Sequence, residues 1–320
     1  MIESRDLAPR ILVADVNGFQ ARFGLAERAQ APASVSVVDC TSQDQLIELL
    51  TKACEAFDGP VLGAAIAAPG PNLGGVIKLT HSDMRLEADL IADRLGLHRL
   101  YLVNNFTARA LAVPLLAPEA LEPIGGGSPH RDAPVGAVGP SETGLGMSIL
   151  YPDGFVGWTA AAAEGGHVDL AAANDREADV IRVLRGMHEH VSAEHVLSGQ
   201  GVLDVALAVS TLAGAPQRPA NLRALLDAAD AGDAVALETF HLVSGWLGAV
   251  CGNLVLTAGA RSGVYLISAT VLSWGDRMDR AVARHRFEAK GRMAAYLRDV
   301  PFYLVNDPNC GLLGLTTLFG

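Results

Sequence analysis

Two carboxamides close an apolar run in this chain: Leu100-Tyr101-Leu102-Val103 leads into Asn104-Asn105-Phe106-Thr107-Ala108. A strand that ends in polar side chains just before a helix is the usual seat of chemistry in an open α/β sheet. An ionised carboxylate at position 105 could take a proton from a ligand hydroxyl. The carboxamide of Asn105 cannot, because it is not measurably basic near neutral pH and only exchanges hydrogen bonds. Further along, Glu164-Gly165-Gly166-His167 and Ser192-Ala193-Glu194-His195 carry carboxylates, which accept hydrogen bonds, and imidazoles, which accept or donate them. The Glu164 segment reads equally as a tight turn with surface charges. A zinc reading fails there, because paired glycines do not favour the helix that would align the ligands, and no metal site is expected. His188 and His190 read as solvent-facing residues near a helix end.

Two glycine-bearing turns could hold phosphates between them: Asp15-Val16-Asn17-Gly18, and Gly139-Pro140-Ser141-Glu142-Thr143-Gly144-Leu145-Gly146. Each reads as strand-turn-strand, a coarse internal echo expected to place one hairpin in each of two domains, facing across a central cleft. The elements that must position these residues alternate. Strands are predicted at 11–16, 21–25, 34–38 and 61–67, and from Leu100, with helices at 43–57, 86–95 and on to about 113. A stretch rich in proline and glycine, 114–134, marks the crossing into the second domain. That domain is predicted to hold strands at 135–138, 147–150, 264–267 and 303–305. Its helices fall at 177–187, 201–212, 221–229 and 233–257, with another ending near 298. The expected division is a small α/β domain of 1–114 completed by 308–320, and a large α+β domain of 115–307.

The length of 320 residues suits two domains. A net charge of −11, with Lys52, Lys78 and Lys290 as the lysines, argues against a nucleic-acid surface. The most apolar run, Trp246 to Ala258, is broken by Asn253 and glycines and reads as a buried core helix, so no membrane partner is expected. Met1 to Asp6 lacks the character of a signal peptide, and Cys40, Cys54, Cys251 and Cys310 have no metal-ligand or disulfide spacing. A cytoplasmic location is the expectation.

On the motifs Asn104-Asn105-Phe106-Thr107-Ala108, Glu164 to Asp169 and Ser192 to Gly199, in that order, the chain resembles the bacterial glucokinase family of the hexokinase and actin-like ATPase clan. The resemblance runs from about 11 to 314. It implies a two-domain actin-like ATPase (ribonuclease H-like) α/β fold, sugar contacts at Asn104, Glu164, His167 and Glu194, and a homodimer. It also shows departures. The family's base is an aspartate where Asn105 stands, and Thr80-His81-Ser82 lacks the asparagine of a T-N-H-T-like loop. The first phosphate loop, D-x-G-G-T-N-x-R in the family, keeps Asp15 and Gly18 but carries Asn17 and Phe19. The second, G-x-G-T-G-L-G, keeps Thr143, Gly144 and Gly146 but is one residue longer and carries Glu142. The adenosine motif A-G-G-I is replaced by Ser268-Ala269-Thr270-Val271.

These departures converge on one ligand. The first expectation is therefore a pseudokinase that retains a hexose pocket, takes no cofactor, and acts as a sugar sensor or scaffold for an unnamed protein partner. The second is an ATP-dependent glucokinase, of ordinary or slow turnover, making glucose 6-phosphate with Mg-ATP; Asp15 would act on the metal through water, and Asp169 or Glu164 would stand in as base. A third is an interaction protein that has lost both ligands.

Overall fold

The structure is a computed structural model that describes residues 9–80, 82–154 and 157–319. His81 and the start of the chain, on which part of the reading above falls, lie outside the described residues. The chain forms two compact units, one bounded by Ala117 and resumed from Asp307, the other Pro118–Asn306.

The first unit opens with β1 (Arg10–Val16), β2 (Gln20–Ala26) and β3 (Ser36–Asp39), which form an antiparallel ladder, the first two joined by a tight turn and the third reached through residues 27–35. Helix α1 (Gln43–Glu55) follows, capped by Ser42, whose hydroxyl accepts from the N–H of Gln45. Next come β4 (Val61–Ala68), the small hairpin β5 (Val76–Lys78) and β6 (Arg85–Glu87), and α2 (Ala88–Leu95), which ends on the left-handed Gly96. Then β7 (Leu100–Asn104) runs into α3 (Asn105–Leu111). Strand order is β3-β2-β1-β4-β7, with β4 and β7 parallel to β1. Strand β4 reads Val-Leu-Gly-Ala-Ala-Ile-Ala-Ala and is buried over its last six residues, as a central parallel strand covered on both faces must be.

The second unit contains β8 (Leu121–Gly125), β9 (Val135–Pro140), β10 (Leu145–Pro152), β11 (Trp158–Ala163), α4 (Asp175–Leu184), α5 (Glu194–Leu197), α6 (Gly199–Leu212), α7 (Leu222–Asp230), α8 (Ala234–Ala258), β12 (Val264–Leu266), α9 (Ala269–Trp274), α10 (Arg280–Glu288), α11 (Ala294–Arg298) and β13 (Phe302–Val305). Its sheet order is β11-β10-β9-β12-β13-β8. Without the edge strand β8, both sheets follow one plan: three antiparallel strands joined by hairpins, then two strands parallel to the first. The echo between the two glycine turns is thus a repeat of a whole supersecondary unit. Helix α12 (Cys310–Leu315) then packs back in the first unit, burying Leu312 and Leu315 beside Ile11, Val13 and Ala108.

Several elements differ from the sequence-based expectation. The segment 114–134 holds the edge strand β8 rather than only a connector, and its prolines are compatible with that because an edge strand leaves N–H positions unpaired. Strand β11, nearly all alanine, carries weak pattern and is fixed by pairing with β10. The helix predicted to end near 298 is two, α10 and α11, interrupted around Gly291 at φ +55°. Helix α8, at 25 residues, extends well before the Trp246 to Ala258 run and is by length and composition long and apolar enough to cross a membrane. It instead lies in the core of the second unit, with Trp246, Leu247 and Val255 fully buried.

Candidate functional site

In the second unit, Glu164 follows β11 and starts a single 3-10 turn, Gly165–His167. The two glycines let this turn lie flat on β10. A Cβ at Gly166 would fall 2.3 Å from the Leu145 carbonyl oxygen, and one at Gly165 would fall 2.5 Å from Met147 Sδ. The chain then runs beside residues 192–193 through an Asp169–Ser192 bridge and an N–H of Ala193 donating to the Val168 carbonyl at 3.1 Å. That pairing carries Glu194, at the start of α5, to the same place.

Glu164, His167 and Glu194 therefore converge. His167 Nε2 lies 3.9 Å from a Glu164 oxygen and its Nδ1 lies 3.9 Å from Glu194 Oε1. Neither distance is a hydrogen bond, so the imidazole stays available to a ligand. Glu194 is the anchored member: its Oε2 accepts from the Leu145 N–H at 2.9 Å, which leaves Oε1 to point elsewhere. Glu164 and His167 are exposed, with side chains 76% and 58% accessible, while Glu194 is at 23%. Two acceptor carboxylates around one donor-acceptor ring suit a polyhydroxylated ligand.

In the first unit Asn104 is the N-cap of α3. Its Oδ1 accepts from Phe106 and Thr107, and its Nδ2 donates at 3.1 Å to the carbonyl of Gly70. Most of that side chain is committed to structure. Gly70 stands at φ +138° in the Pro69-Gly70-Pro71 turn, a conformation that favours glycine. This anchor went unrecognised in the sequence, although Pro-Gly-Pro straight after an apolar strand is its signal. Asn105 is the first residue of α3, and its side chain makes no hydrogen bond among the described residues.

The first turn closes upon itself. Asn17 Oδ1 accepts from the N–H groups of Phe19 (2.9 Å) and Gln20 (2.8 Å), and the Asn17 N–H donates to the Gln20 carbonyl. The Phe19 ring is 62% exposed. Gly18, at φ +90°, packs so tightly that a Cβ would fall 2.6 Å from Ser82. Asp15 sits in β1 under this turn. Burial pushes its carboxyl upward, while Arg109 and Arg22 pull it back. Arg109 was not singled out from the sequence; it lies one helical turn after Asn105, and its role becomes visible only once α3 meets β1.

The second turn is also self-satisfied. Ser141 N–H donates to Gly144 O, Gly144 N–H donates to Ser141 Oγ, and Leu145 N–H is taken by Glu194. The extra residue folds over the start of α6. Gly199 N–H donates to Ser141 O and Gln200 N–H to Glu142 O, at 2.9 and 3.0 Å. The Glu142 carboxylate lies against Gly199, where a Cβ would stand 2.7 Å from Oε2, and it accepts from Gln200 Nε2 at 3.3 Å. Thr143 and Gly146 flank and close this hairpin. Ser268, the residue that opens the altered adenosine motif, caps α9 and donates its hydroxyl to the Pro140 carbonyl, tying that motif to the same turn.

His190 is exposed, as expected, at 51%, but His188 differs from expectation. His188 is only 23% exposed; its ring lies tilted against His195 with centroids 4.2 Å apart and 3.4 Å from Asp204. Burial first, then the neighbouring His188, lowers the pKa of His195. Among the described residues no cluster of histidine, cysteine or carboxylate side chains has the arrangement of a metal site.

Two sheets of one plan, each opened by a turn at its first hairpin, define the actin-like ATPase (ribonuclease H-like) architecture. The glucokinase family model matches residues 12–319, and the chain belongs to that family. It is 38% identical to a glucokinase-like protein of Caulobacter vibrioides over 95% of each chain. It is 36% identical to a glucokinase of Paramagnetospirillum magneticum over 98% of each. Among solved structures, a glucokinase from an Antarctic psychrotroph superposes with a TM-score of 0.87 at 26% identity, covering 98% of this chain and 99% of that one.

Proposed function

We propose that this chain binds a hexose, glucose in the first instance, and that phosphoryl transfer to it is lost or severely slowed. The hexose reading rests on Glu164, His167 and Glu194, which the second unit brings together by itself. The observation that carries the second half is the closure of both turns: the amides of Phe19 and Gln20 are spent on Asn17, and those of Gly144 and Leu145 on Ser141 and Glu194. Backbone N–H groups that cradle phosphates must be unspent. Glu142 adds a negative charge beside them, and Asn105 offers no base. Loss of a general base alone costs about 10²–10⁴ in rate, and loss of phosphate positioning removes further electrostatic and proximity contributions. In this reading the protein takes no nucleotide cofactor and reports sugar to a protein partner or to its own second copy.

A second reading is an active ATP-dependent glucokinase that forms glucose 6-phosphate with Mg-ATP. What favours it is the name glucokinase borne by relatives such as that of Paramagnetospirillum magneticum across nearly the whole chain. Differential scanning fluorimetry with glucose and then Mg-ATP, beside a coupled assay for glucose 6-phosphate, separates the two. The first reading expects a rise in Tm with glucose and none with Mg-ATP. A nucleotide-dependent rise together with steady turnover would establish the second.

A further inference from the structure

A groove of about 680 Å³ opens in the second unit between β10, the 168–174 segment and the helices α8 and α10. Its walls are apolar, formed by Met147, Ile149, Leu170, Val250 and Leu254. Two polar groups there lack the partners that their settings call for. Trp246 is fully buried, lines the groove, and its indole N–H finds no acceptor. Lys290, also lining it, donates to the Ala249 carbonyl at 3.0 Å and to Asn253 Oδ1 at 2.6 Å, both neutral; no carboxylate among the described residues pairs with it.

The cation is held there by construction. Its stem crosses α8 at Gly252, where a Cβ would stand 2.9 Å from Lys290 Cε. The neighbouring Arg286 is already neutralised by the buried Glu177, and Asp169 at the rim pairs with His190 at 3.2 Å. Burial first, then the charge of Arg286, lowers the ammonium pKa of Lys290. A part-buried cation without a counter-charge is costly, and an incoming anion would offset that cost. An apolar trough in which Lys290 is the cation left without a carboxylate partner, Arg286 being paired with Glu177, matches an amphipathic anion and mismatches a sugar or a nucleotide.

We propose that this groove is a second ligand site that takes a small carboxylic acid with an apolar tail, its carboxylate on Lys290 and its tail along α8. The site stands independently of whether the chain binds a hexose or turns over ATP.

The test is a calorimetric titration of the full chain with hexanoate, octanoate and 3-phenylpropionate, each beside its primary amide. Carboxylates are expected to bind at least about tenfold more tightly than the matched amides, since a charge-assisted hydrogen bond is worth about twice a neutral one. Lys290→Met should abolish that preference while keeping weak tail binding. Ala249→Leu, which fills the trough and leaves the lysine in place, should abolish binding of both, so the outcome does not hang on one variant. Equal affinity of acid and amide overturns the proposal, as does no heat up to about 10 mM ligand. So does a concentration-dependent self-association that Ala249→Leu disrupts while no carboxylate binds, because the groove would then belong to a second copy.

Discussion

At position 105 the difference between a carboxamide and a carboxylate can be tested directly. Asn105→Asp places a negative charge on the first residue of α3, where the helix dipole favours it by about 0.3–1 kcal/mol. The variant is therefore expected to fold with unchanged or slightly raised stability in urea. Glucose 6-phosphate formation is not expected to appear, because Asn17 and Ser141 still occupy the turn amides. Turnover in that single variant would show the turns to be competent as they stand. On the sugar side, His167→Ala should remove the Tm response to glucose while leaving the unfolding free energy of the free protein within about 0.5 kcal/mol, as for an exposed residue. An undiminished response would take the hexose away from this imidazole. The residue types at these positions were legible in the sequence. That Asn17 is the acceptor for two amides of its own turn was not, because it follows from backbone conformation.

Helix α3 shows how one side chain serves two elements. Asn104 caps α3 and grips the Gly70 carbonyl, so Asn104→Ala is expected to cost about 0.5–2 kcal/mol of stability by chemical denaturation. Helices α8 and α10 meet more closely than side chains allow: a Cβ at Gly248 would fall 1.9 Å from the Ala283 carbonyl oxygen. Gly248→Ala should destabilise the protein by about 1–3 kcal/mol through overpacking, against a small gain for the same change in an exposed helix. A neutral result would mean that the helices can separate. The long amphipathic or apolar segments were readable, from 43–55 to 234–258, because period and end signals agree there. The short elements were not: β5, β6, β8, β11 and α9 owe their existence to partners distant in sequence, and a window of three to six residues carries too little pattern to specify them.

Over the whole molecule, acid sensitivity has an identifiable contributor. Burial, and then the adjacent His188, lower the folded pKa of His195 below its unfolded value near 6.5. The stabilising contribution of the neutral form is complete above that unfolded pKa and is lost as pH falls through it towards the folded value. His195→Gln should flatten the decline in Tm just below pH 6.5, and an unaltered pH profile would remove this residue from the account. The shared plan of the two sheets was only faintly legible, as two glycine turns of similar kind, since sequence records a repeated topology poorly once its side chains diverge. Finally, α12 and the turn after it lay Leu312, Leu315 and Phe319 over a face of the first sheet that Ile11, Val13, Ala65 and Ala67 present. On the ribosome that face is made early and its cover late, with the whole of the second unit translated between. At roughly 5–20 residues per second the wait amounts to tens of seconds. Through that interval the half-clad nascent domain leaves an apolar sheet face uncovered, the kind of surface that makes a folding intermediate prone to aggregate.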